Sequence, residues 1–190
     1  MNVYDFDGTI YDGDSTVDFY LYSLKRNPAL LRYLPKQAWG FLLYFCKRIG
    51  KTQLKEYFFS FLCGIEVQST VESFWEQNQK KIYTWYLNQQ KQDDIIISAS
   101  PVFLLKPICN RIGIKHLIAS EVDPKTGMFT GENCRGQEKV RRLTEEYNVT
   151  HIDCFYSDSR SDLPLAKIAD AAFLVEKGVV KEWKGLDAHE

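Results

Sequence analysis

Four short apolar segments, most of which run directly into polar residues, constrain the fold of this chain more than any other feature. They are NVYDF (2–6), DIIISASP (94–101), IDCFYSD (152–158) and AAFLV (171–175). Each has the length and composition of a buried strand. Apolar residues at helical spacing lie between the later segments: Val102, Leu105, Ile108, Cys109 and Ile112, then Val140, Leu143 and Tyr147. Because strands that alternate with helices form parallel sheets, the pattern predicts an α/β fold.

The connection between the first two segments is unusually long, at roughly 80 residues. It is rich in Leu, Phe, Tyr and Trp at helical spacing, and turn residues interrupt it at Asn27-Pro28, Gly50 and Gly64. We therefore expect a helical cap inserted into a sheet domain. The expected division is a cap at residues 14–90 and a sheet domain at residues 1–13 and 91–190. Turn residues within 121–131, EVDPKTGMFTG, also predict a small hairpin.

Composition excludes some classes of protein. The formal net charge is -1, so the overall charge gives no reason to expect a nucleic acid partner. The five cysteines are odd in number and scattered, which predicts buried, reduced thiols. No cleavable signal segment precedes Asn2, so we expect a cytoplasmic protein.

Polar residues gather where three of the predicted strands end. Asp5 and Asp7 follow the first strand, Ser98 lies in the second, and Asp158 and Asp162 follow the third. In parallel sheets, ligands bind beyond the carboxyl ends of the strands, so these side chains are expected to converge. Any one of them alone is equally typical of an N-cap or a turn. Their combination predicts a functional site.

Clustered carboxylates repel one another unless a cation lies among them. Oxygen ligands without histidine favour Mg²⁺, and His116, His151 and His189 lie outside the cluster, so we expect no zinc site. The segment DFDGTIYDGDST lacks the glycine and the glutamate that a calcium-binding EF-hand loop requires at its sixth and twelfth positions.

The same residues suit the transfer of a phosphoryl group. An aspartate can carry the group as an aspartyl-phosphate. The charge on the phosphoryl oxygens then needs donors and cations, which Ser98, the backbone N–H near Ala99, and Lys139 could supply. Lys139 lies in the first turn of a predicted helix, where its local pattern alone is more typical of a solvated lysine.

The segments DFDGT, IIISAS, GQEK and YSDSRSD, in this order, resemble the four motifs of the haloacid dehalogenase superfamily over essentially the whole chain. The hairpin segment and the insertion after the first motif resemble the phosphoserine phosphatase-like subfamily, type IB, which has a helical cap. The resemblance implies a Rossmann-like parallel sheet core and Mg²⁺-dependent hydrolysis of a phosphomonoester through an aspartyl-phosphate.

Carried over position by position, the resemblance implies a role for each residue. Asp5 is the nucleophile, and Asp7 is the general acid and base. Asp5, the backbone carbonyl of Asp7, and Asp158 bind Mg²⁺. The resemblance also implies that Asp162 supports the metal. It implies that the phosphoryl oxygens are bound by Ser98, Ala99 and Lys139. Dehalogenases of the superfamily lack a carboxylate equivalent to Asp7, so the chain resembles the phosphatases.

The substrate is less constrained. Phosphoserine phosphatases have a glutamate where this chain has Asp14, and Asp14 is equally typical of an N-cap for the helix that follows. These enzymes also bind the substrate carboxylate with a cap arginine. The corresponding segment here, KTQLKEYFFSFLCGI, contains lysines instead.

The predicted cap carries a basic, aromatic segment. No acidic residue lies between Asp18 and Glu56, whereas eight basic residues do: Lys25, Arg26, Arg32, Lys36, Lys47, Arg48, Lys51 and Lys55. Such a segment is typical of a helix that lies on an anionic membrane, and more often of a cap core with a solvated basic face. NCRGQEKVRRL and YSDSRSDLPL also resemble the C-type phosphatidylglycerophosphatases.

We therefore expect a phosphatase whose substrate is a phosphorylated small molecule or a lipid head group. A lipid substrate would bring peripheral membrane contact through the cap. The alternatives are a phosphatase of a soluble metabolite such as phosphoserine, and a non-catalytic module that docks on membranes or senses phosphate. A binding module has no need of a nucleophile beside an acid, which favours the enzyme.

Overall fold

The computed structural model describes residues 1–184, which contain a central six-stranded sheet. The strands are β1 (Asn2–Tyr4), β2 (Ile95–Pro101), β3 (His116–Ser120), β4 (Ile152–Ser157), β5 (Ala169–Glu176) and β6 (Val179–Glu182). Their spatial order is β3-β2-β1-β4-β5-β6. The first five strands pair in parallel, and β6 pairs antiparallel with β5. The predicted α/β fold with a parallel sheet is confirmed.

Five helices lie between β1 and β2, and three more lie between the later strands. The first group is α1 (Ser15–Arg26), α2 (Leu34–Phe45), α3 (Lys51–Phe59), α4 (Val67–Asn78) and α5 (Thr84–Gln89). The second is α6 (Val102–Arg111), α7 (Gln137–Tyr147) and α8 (Leu163–Ala166). The predicted interruptions are confirmed, because Pro28 begins a 3-10 segment after α1, Gly50 is the N-cap of α3, and Gly64 ends another 3-10 segment.

Helices cover both faces of the sheet, as the continuous apolar strands require. Successive residues of β1 face opposite sides, so Val3 packs into one apolar cluster and Tyr4 into the other. The cluster around Tyr4 extends into the helices between β1 and β2, where Phe74 and Trp75 are fully buried. The Trp75 indole N–H donates to the Leu104 carbonyl oxygen in α6 at 2.6 Å. The inserted helices therefore share one core with the sheet.

Some local predictions need correction. Strands β3 and β6 were not predicted. The small hairpin predicted within 121–131 is confirmed, since Val122 and Phe129 form an antiparallel bridge and the Thr130 N–H donates to the Glu121 carbonyl oxygen at 3.0 Å. All five cysteines are free thiols, but Cys46 and Cys63 are exposed, so the prediction of buried thiols is wrong for them. Among the described residues, no helix is long and apolar enough to cross a bilayer. His189 lies outside the described residues.

Candidate active site

The end of β1 is fixed against β4, which places its carboxylates at the edge of the sheet. Asp5 directly follows β1, and its N–H donates to the Tyr156 carbonyl oxygen at 2.9 Å. Gly8 has φ +69°, and a Cβ there would collide with the carboxylate of Asp158. Thr9 completes the junction, because its hydroxyl accepts the Asp158 N–H at 2.9 Å. Asp158 is thereby held beside the loop that carries Asp5.

Lys139 lies between two carboxylates at the N-terminus of α7. Its ammonium donates to Asp5 Oδ1 at 2.8 Å and to Asp162 Oδ2 at 2.7 Å. Asp162 also accepts from the Ser157 hydroxyl at 2.9 Å. Lys139 is only 2% exposed, so the alternative of a solvated lysine is wrong.

The charges in this group act on one another. Burial alone would lower the pKa of Lys139, but the negative charges of Asp5 and Asp162 outweigh burial and hold that pKa above its ordinary value. Burial raises the pKa of Asp5, and the positive charge of Lys139 opposes the rise. Lys139 therefore stays charged and neutralises one of the two carboxylates.

Asp7 has a different environment from Asp5. Its Oδ1 accepts the Ser15 N–H at 2.7 Å, and its Oδ2 accepts the Ser100 hydroxyl. Burial raises the pKa of Asp7 to about 6, and the negative charge of Asp14 contributes to the rise. An acid with such a pKa is partly protonated near neutral pH and can either donate or accept a proton.

The end of β2 supplies polar groups to the same place. Ser98 is buried, and its Oγ accepts the Ser100 N–H at 3.1 Å. Ala99 is half-buried between them. Its carbonyl oxygen accepts the hydroxyl of Ser120, in β3, at 3.0 Å. These bonds fix the backbone of the last residues of β2.

One cavity of about 610 Å³ brings all the predicted site residues together. They are Asp5, Asp7, Asp14, Ser98, Ala99, Lys139, Asp158 and Asp162. The inserted helices add an apolar wall, formed by Val17, Phe41, Leu54, Phe58 and Phe59. A cavity of similar volume, about 630 Å³, is lined by residues that include Leu62, Val71 and Phe103 and contains none of the predicted residues. The chemistry of the lining, rather than its volume, identifies the candidate site.

Asp14 has a structural role at the mouth of this cavity. Its Oδ1 accepts the N–H groups of Thr16 at 2.9 Å and Val17 at 3.0 Å, so it caps α1. The N-cap alternative is thus confirmed. Contact between Asp14 and a substrate stays a prediction.

The donor atoms fit the predicted Mg²⁺. Among the described residues, no three His, Cys, Asp or Glu side chains are grouped as metal ligands. The predicted set does not need three, because it combines the carboxylates of Asp5 and Asp158 with the backbone carbonyl of Asp7. Two histidines have other neighbours, since His116 packs edge-on against an aromatic ring and His151 pairs with an exposed aspartate. An all-oxygen set of this kind suits Mg²⁺.

Several cavity residues were missed by the sequence prediction. Lys55, from α3, donates to the Ala99 carbonyl oxygen at 2.9 Å and to Asn133 Oδ1 at 3.0 Å. The Thr16 and Ser100 hydroxyls lie 2.9 Å apart, and Arg135 lines the same cavity. The only local signal for Lys55 is a single lysine beside the aromatic run that ends α3.

The chain is similar in sequence to known hydrolases and phosphatases. The family model of the haloacid dehalogenase-like hydrolases matches residues 3–167. A probable phosphatase of Mycobacterium tuberculosis is 31% identical over 102 residues, which are 48% of this chain and 35% of that protein. A histidinol-phosphatase of Neisseria meningitidis is 28% identical over 91 residues, 40% of each chain. The chain thus matches well under half the length of these relatives.

Solved structures share the fold. A protein of unknown function from Bordetella pertussis has a TM-score of 0.69 and 22% identity, with 88% of this chain and 85% of that chain covered. A substrate-bound phosphoserine phosphatase complex has a TM-score of 0.59 and 13% identity, with 90% and 83% covered. At these identities the likeness concerns the fold alone.

Proposed function

The chain belongs to the haloacid dehalogenase-like hydrolase family, and we propose that it is a Mg²⁺-dependent phosphomonoesterase with Asp5 as its nucleophile. The observation that carries the proposal is the single cavity in which Asp5, paired with Lys139, faces Asp7, Ser98 and Asp158. We also propose that the helices within residues 14–90 act as its cap.

In the first step, a carboxylate oxygen of Asp5 attacks the phosphorus, and the bond from phosphorus to the leaving oxygen breaks. Asp7 donates its proton to that oxygen, so the leaving group departs as an alcohol. Asp7, now a carboxylate, removes a proton from water. The water oxygen attacks the phosphorus, the bond to Asp5 breaks, and inorganic phosphate is released. The pKa of about 6 suits Asp7 to both transfers.

Neighbouring groups would hold the phosphoryl oxygens during both steps. The Ser98 hydroxyl, the backbone N–H groups that follow it, and the Lys139 ammonium are donors at the cavity floor. Asp162 contacts Lys139 and Ser157. These contacts favour a role in positioning Lys139, while its support of the metal stays a prediction.

The metal would be held by Asp5, Asp158 and the Asp7 carbonyl. When bound, Mg²⁺ offsets the repulsion between the carboxylates and the phosphoryl oxygens.

Replacing the nucleophile tests the proposal. Asp5→Asn should abolish Mg²⁺-supported hydrolysis of p-nitrophenyl phosphate while the circular dichroism spectrum is unchanged. The control is Asp170→Asn, which alters an exposed carboxylate near the start of β5, at the opposite edge of the sheet. Turnover by Asp5→Asn at the wild-type rate would contradict the assignment. The absence of turnover in the wild type would instead favour a non-catalytic module.

We further propose that the substrate is an anionic lipid phosphate, reached by peripheral contact with the membrane. In and next to α2, large apolar side chains face solvent, among them Trp39 at 56% exposure and Phe45 at 78%. Exposed basic residues flank them: Arg32, Lys36, Lys47, Arg48 and Lys51. Phe41 is both 45% exposed and part of the cavity wall, so this surface continues into the candidate active site. Basic, aromatic surfaces of this kind favour anionic lipid.

Sedimentation with vesicles tests the lipid proposal. The wild type should sediment with phosphatidylglycerol vesicles at low salt and less at physiological salt, because salt screens charge. Replacing both Trp39 and Phe45 with Ser should abolish sedimentation, whereas Leu87→Ser with Val179→Ser, which alters exposed side chains of α5 and β6, should not. Equal recovery of all variants in the supernatant would contradict membrane contact and favour the alternative, a phosphatase of a soluble metabolite such as phosphoserine.

A further inference from the structure

Lys55 is a cation from the helical insertion that reaches into the sheet edge. Its ammonium contacts two neutral acceptors, the Ala99 carbonyl oxygen and Asn133 Oδ1. Lys139, the other lysine of the cavity, has two carboxylate partners instead. In the part of the chain that the structure describes, Lys55 forms no ion pair.

The surroundings of Lys55 disfavour its charge. Burial lowers the pKa of Lys55 to about 8, and Arg135 acts in the same direction. The charges of Asp14 and Asp7 and the thiol of Cys134 oppose the shift without reversing it. Lys55 is half-buried, and lysines are rarely withdrawn from water unless they are paired. The positive charge of the Lys55 ammonium is therefore only partly balanced by negative charges in the cavity.

The position of Lys55 shows where a counter-charge would lie. Its acceptor Ala99 is next to Ser98, so the ammonium lies beside the proposed phosphoryl site and above the end of β2. Arg135 lines the same cavity. Leu54 and Phe58, which flank Lys55 in α3, belong to the apolar wall. The part of the cavity that would receive the leaving group is therefore both cationic and apolar.

We propose that Lys55, with Arg135 beside it, binds a second anionic group on the substrate, so that the enzyme selects phosphomonoesters whose leaving group carries a negative charge. This inference rests on the proposed function. The anionic group can come from two sources, a carboxylate on a small metabolite or a phosphodiester in a lipid head group. The shared chemistry is an oxyanion on the leaving group.

Matched pairs of substrates separate these sources. Phosphoserine and phosphoethanolamine differ by one carboxylate, and phosphatidylglycerophosphate and phosphatidic acid differ by one phosphodiester in the leaving group. Within each pair, the measurement is the ratio of kcat/KM for the substrate with the anionic leaving group to that for its partner. The pair with the larger ratio in the wild type identifies the source.

The variant Lys55→Met should lower that ratio by about 10- to 100-fold, mainly through KM, since a hydrogen bond to a charged group has this magnitude. Lys55→Arg should retain most of the ratio. Lys106→Met, which alters an exposed lysine of α6, is the control. If Lys55→Met lowered kcat/KM by a similar factor for both substrates of each pair, the inference would be overturned and Lys55 would have a purely structural role. An unchanged ratio would overturn it as well.

Binding separates this inference from the proposed function. In an Asp5→Asn background, calorimetric titration with the same four phosphomonoesters should show tighter binding of the anionic member of at least one pair, and Lys55→Met should remove the preference. Preference in binding without turnover by the wild type would contradict the phosphatase proposal but support Lys55. Turnover without any preference would contradict the Lys55 inference alone.

Discussion

Replacing Lys139 with Met should destabilise the protein more than any exposed lysine substitution. The change removes the cation between Asp5 and Asp162, which it contacts at 2.8 and 2.7 Å, while leaving both carboxylates in place. Asp162 and Lys139 are each 2% exposed and Asp5 is 8% exposed, so both carboxylates would stay largely buried without their cation. Removing one member of a buried ion pair costs about 3–5 kcal/mol.

For a chain of this size, each kcal/mol lowers the melting temperature by roughly 2–4 °C, so we expect a decrease of roughly 6–20 °C. The assay is thermal and urea unfolding at pH 7.5 with EDTA present, so that bound metal does not contribute. Lys167→Met, which alters an exposed lysine, is the control. The double variant Lys139→Met with Asp5→Asn should lose less stability than the two single losses combined, because it removes one unpaired charge.

The stability that Lys139 contributes depends on pH in a defined direction. The raised pKa of Lys139 means that its contribution is complete below the ordinary lysine pKa and is lost only as pH rises into the alkaline range. In Lys139→Met, acidification protonates the unpaired Asp5 carboxylate, whose pKa burial raises, so the loss of stability relative to wild type should shrink as pH falls from about 8 to about 5. The reasoning would be refuted if, at pH 7.5, Lys139→Met lost no more than about 1 kcal/mol of unfolding free energy beyond the loss in Lys167→Met.

Three further outcomes follow from the same geometry. EDTA should abolish hydrolysis of p-nitrophenyl phosphate and Mg²⁺ should restore it, whereas Asp158→Asn should need more Mg²⁺ for half-maximal activity; full activity after exhaustive chelation would contradict the metal assignment. For a substrate with an anionic leaving group, KM should rise above a pH of about 8 as Lys55 loses its charge, and Lys55→Arg should flatten that rise; identical pH profiles of KM would count against it. Gly40→Val should destabilise the protein by about 1–3 kcal/mol in urea unfolding, because a Cβ there would collide with Tyr57 across the α2–α3 contact. Gly50→Val, where a Cβ meets no atom within 4 Å, should cost less than about 1 kcal/mol, and equal losses would contradict the packing argument.

The sequence predicts the parts of the fold that have a strong local signal. Strands β1, β2, β4 and β5 contain apolar runs, so composition identifies them, although only Ala172 and Val175 of β5 are buried. Strand β6 has four exposed residues and no apolar pattern, and it forms because the turn at Lys177 and Gly178, both at positive φ, folds it back onto β5. Strand β3 is short, and its first two residues are only half-buried.

The site shows the same division between local and long-range information. Asp5, Asp7 and Asp158 follow strands, and their convergence depends only on parallel topology. Lys139 and Lys55 each carry an ordinary local pattern, and only contacts far along the chain distinguish them. The first pairs with a residue 134 positions away, and the second contacts a residue 44 positions away. No local pattern encodes those contacts. The resemblance of GQEK to a family motif singled out Lys139, whereas only the folded chain distinguishes Lys55 from a solvated lysine.

The most direct test of the proposed nucleophile is to identify the phosphorylated residue. The Asp7→Asn variant should accumulate the intermediate, because Asp7 would activate the water that clears it. After mixing with p-nitrophenyl phosphate and Mg²⁺, the protein is quenched in acid, reduced with borohydride and analysed by peptide mass spectrometry. Reduction converts an acyl phosphate on aspartate to homoserine, and we predict this conversion at Asp5. Homoserine at another position, or phosphate release by the wild type with Asp5 unmodified in every quenched sample of the variant, would contradict the account.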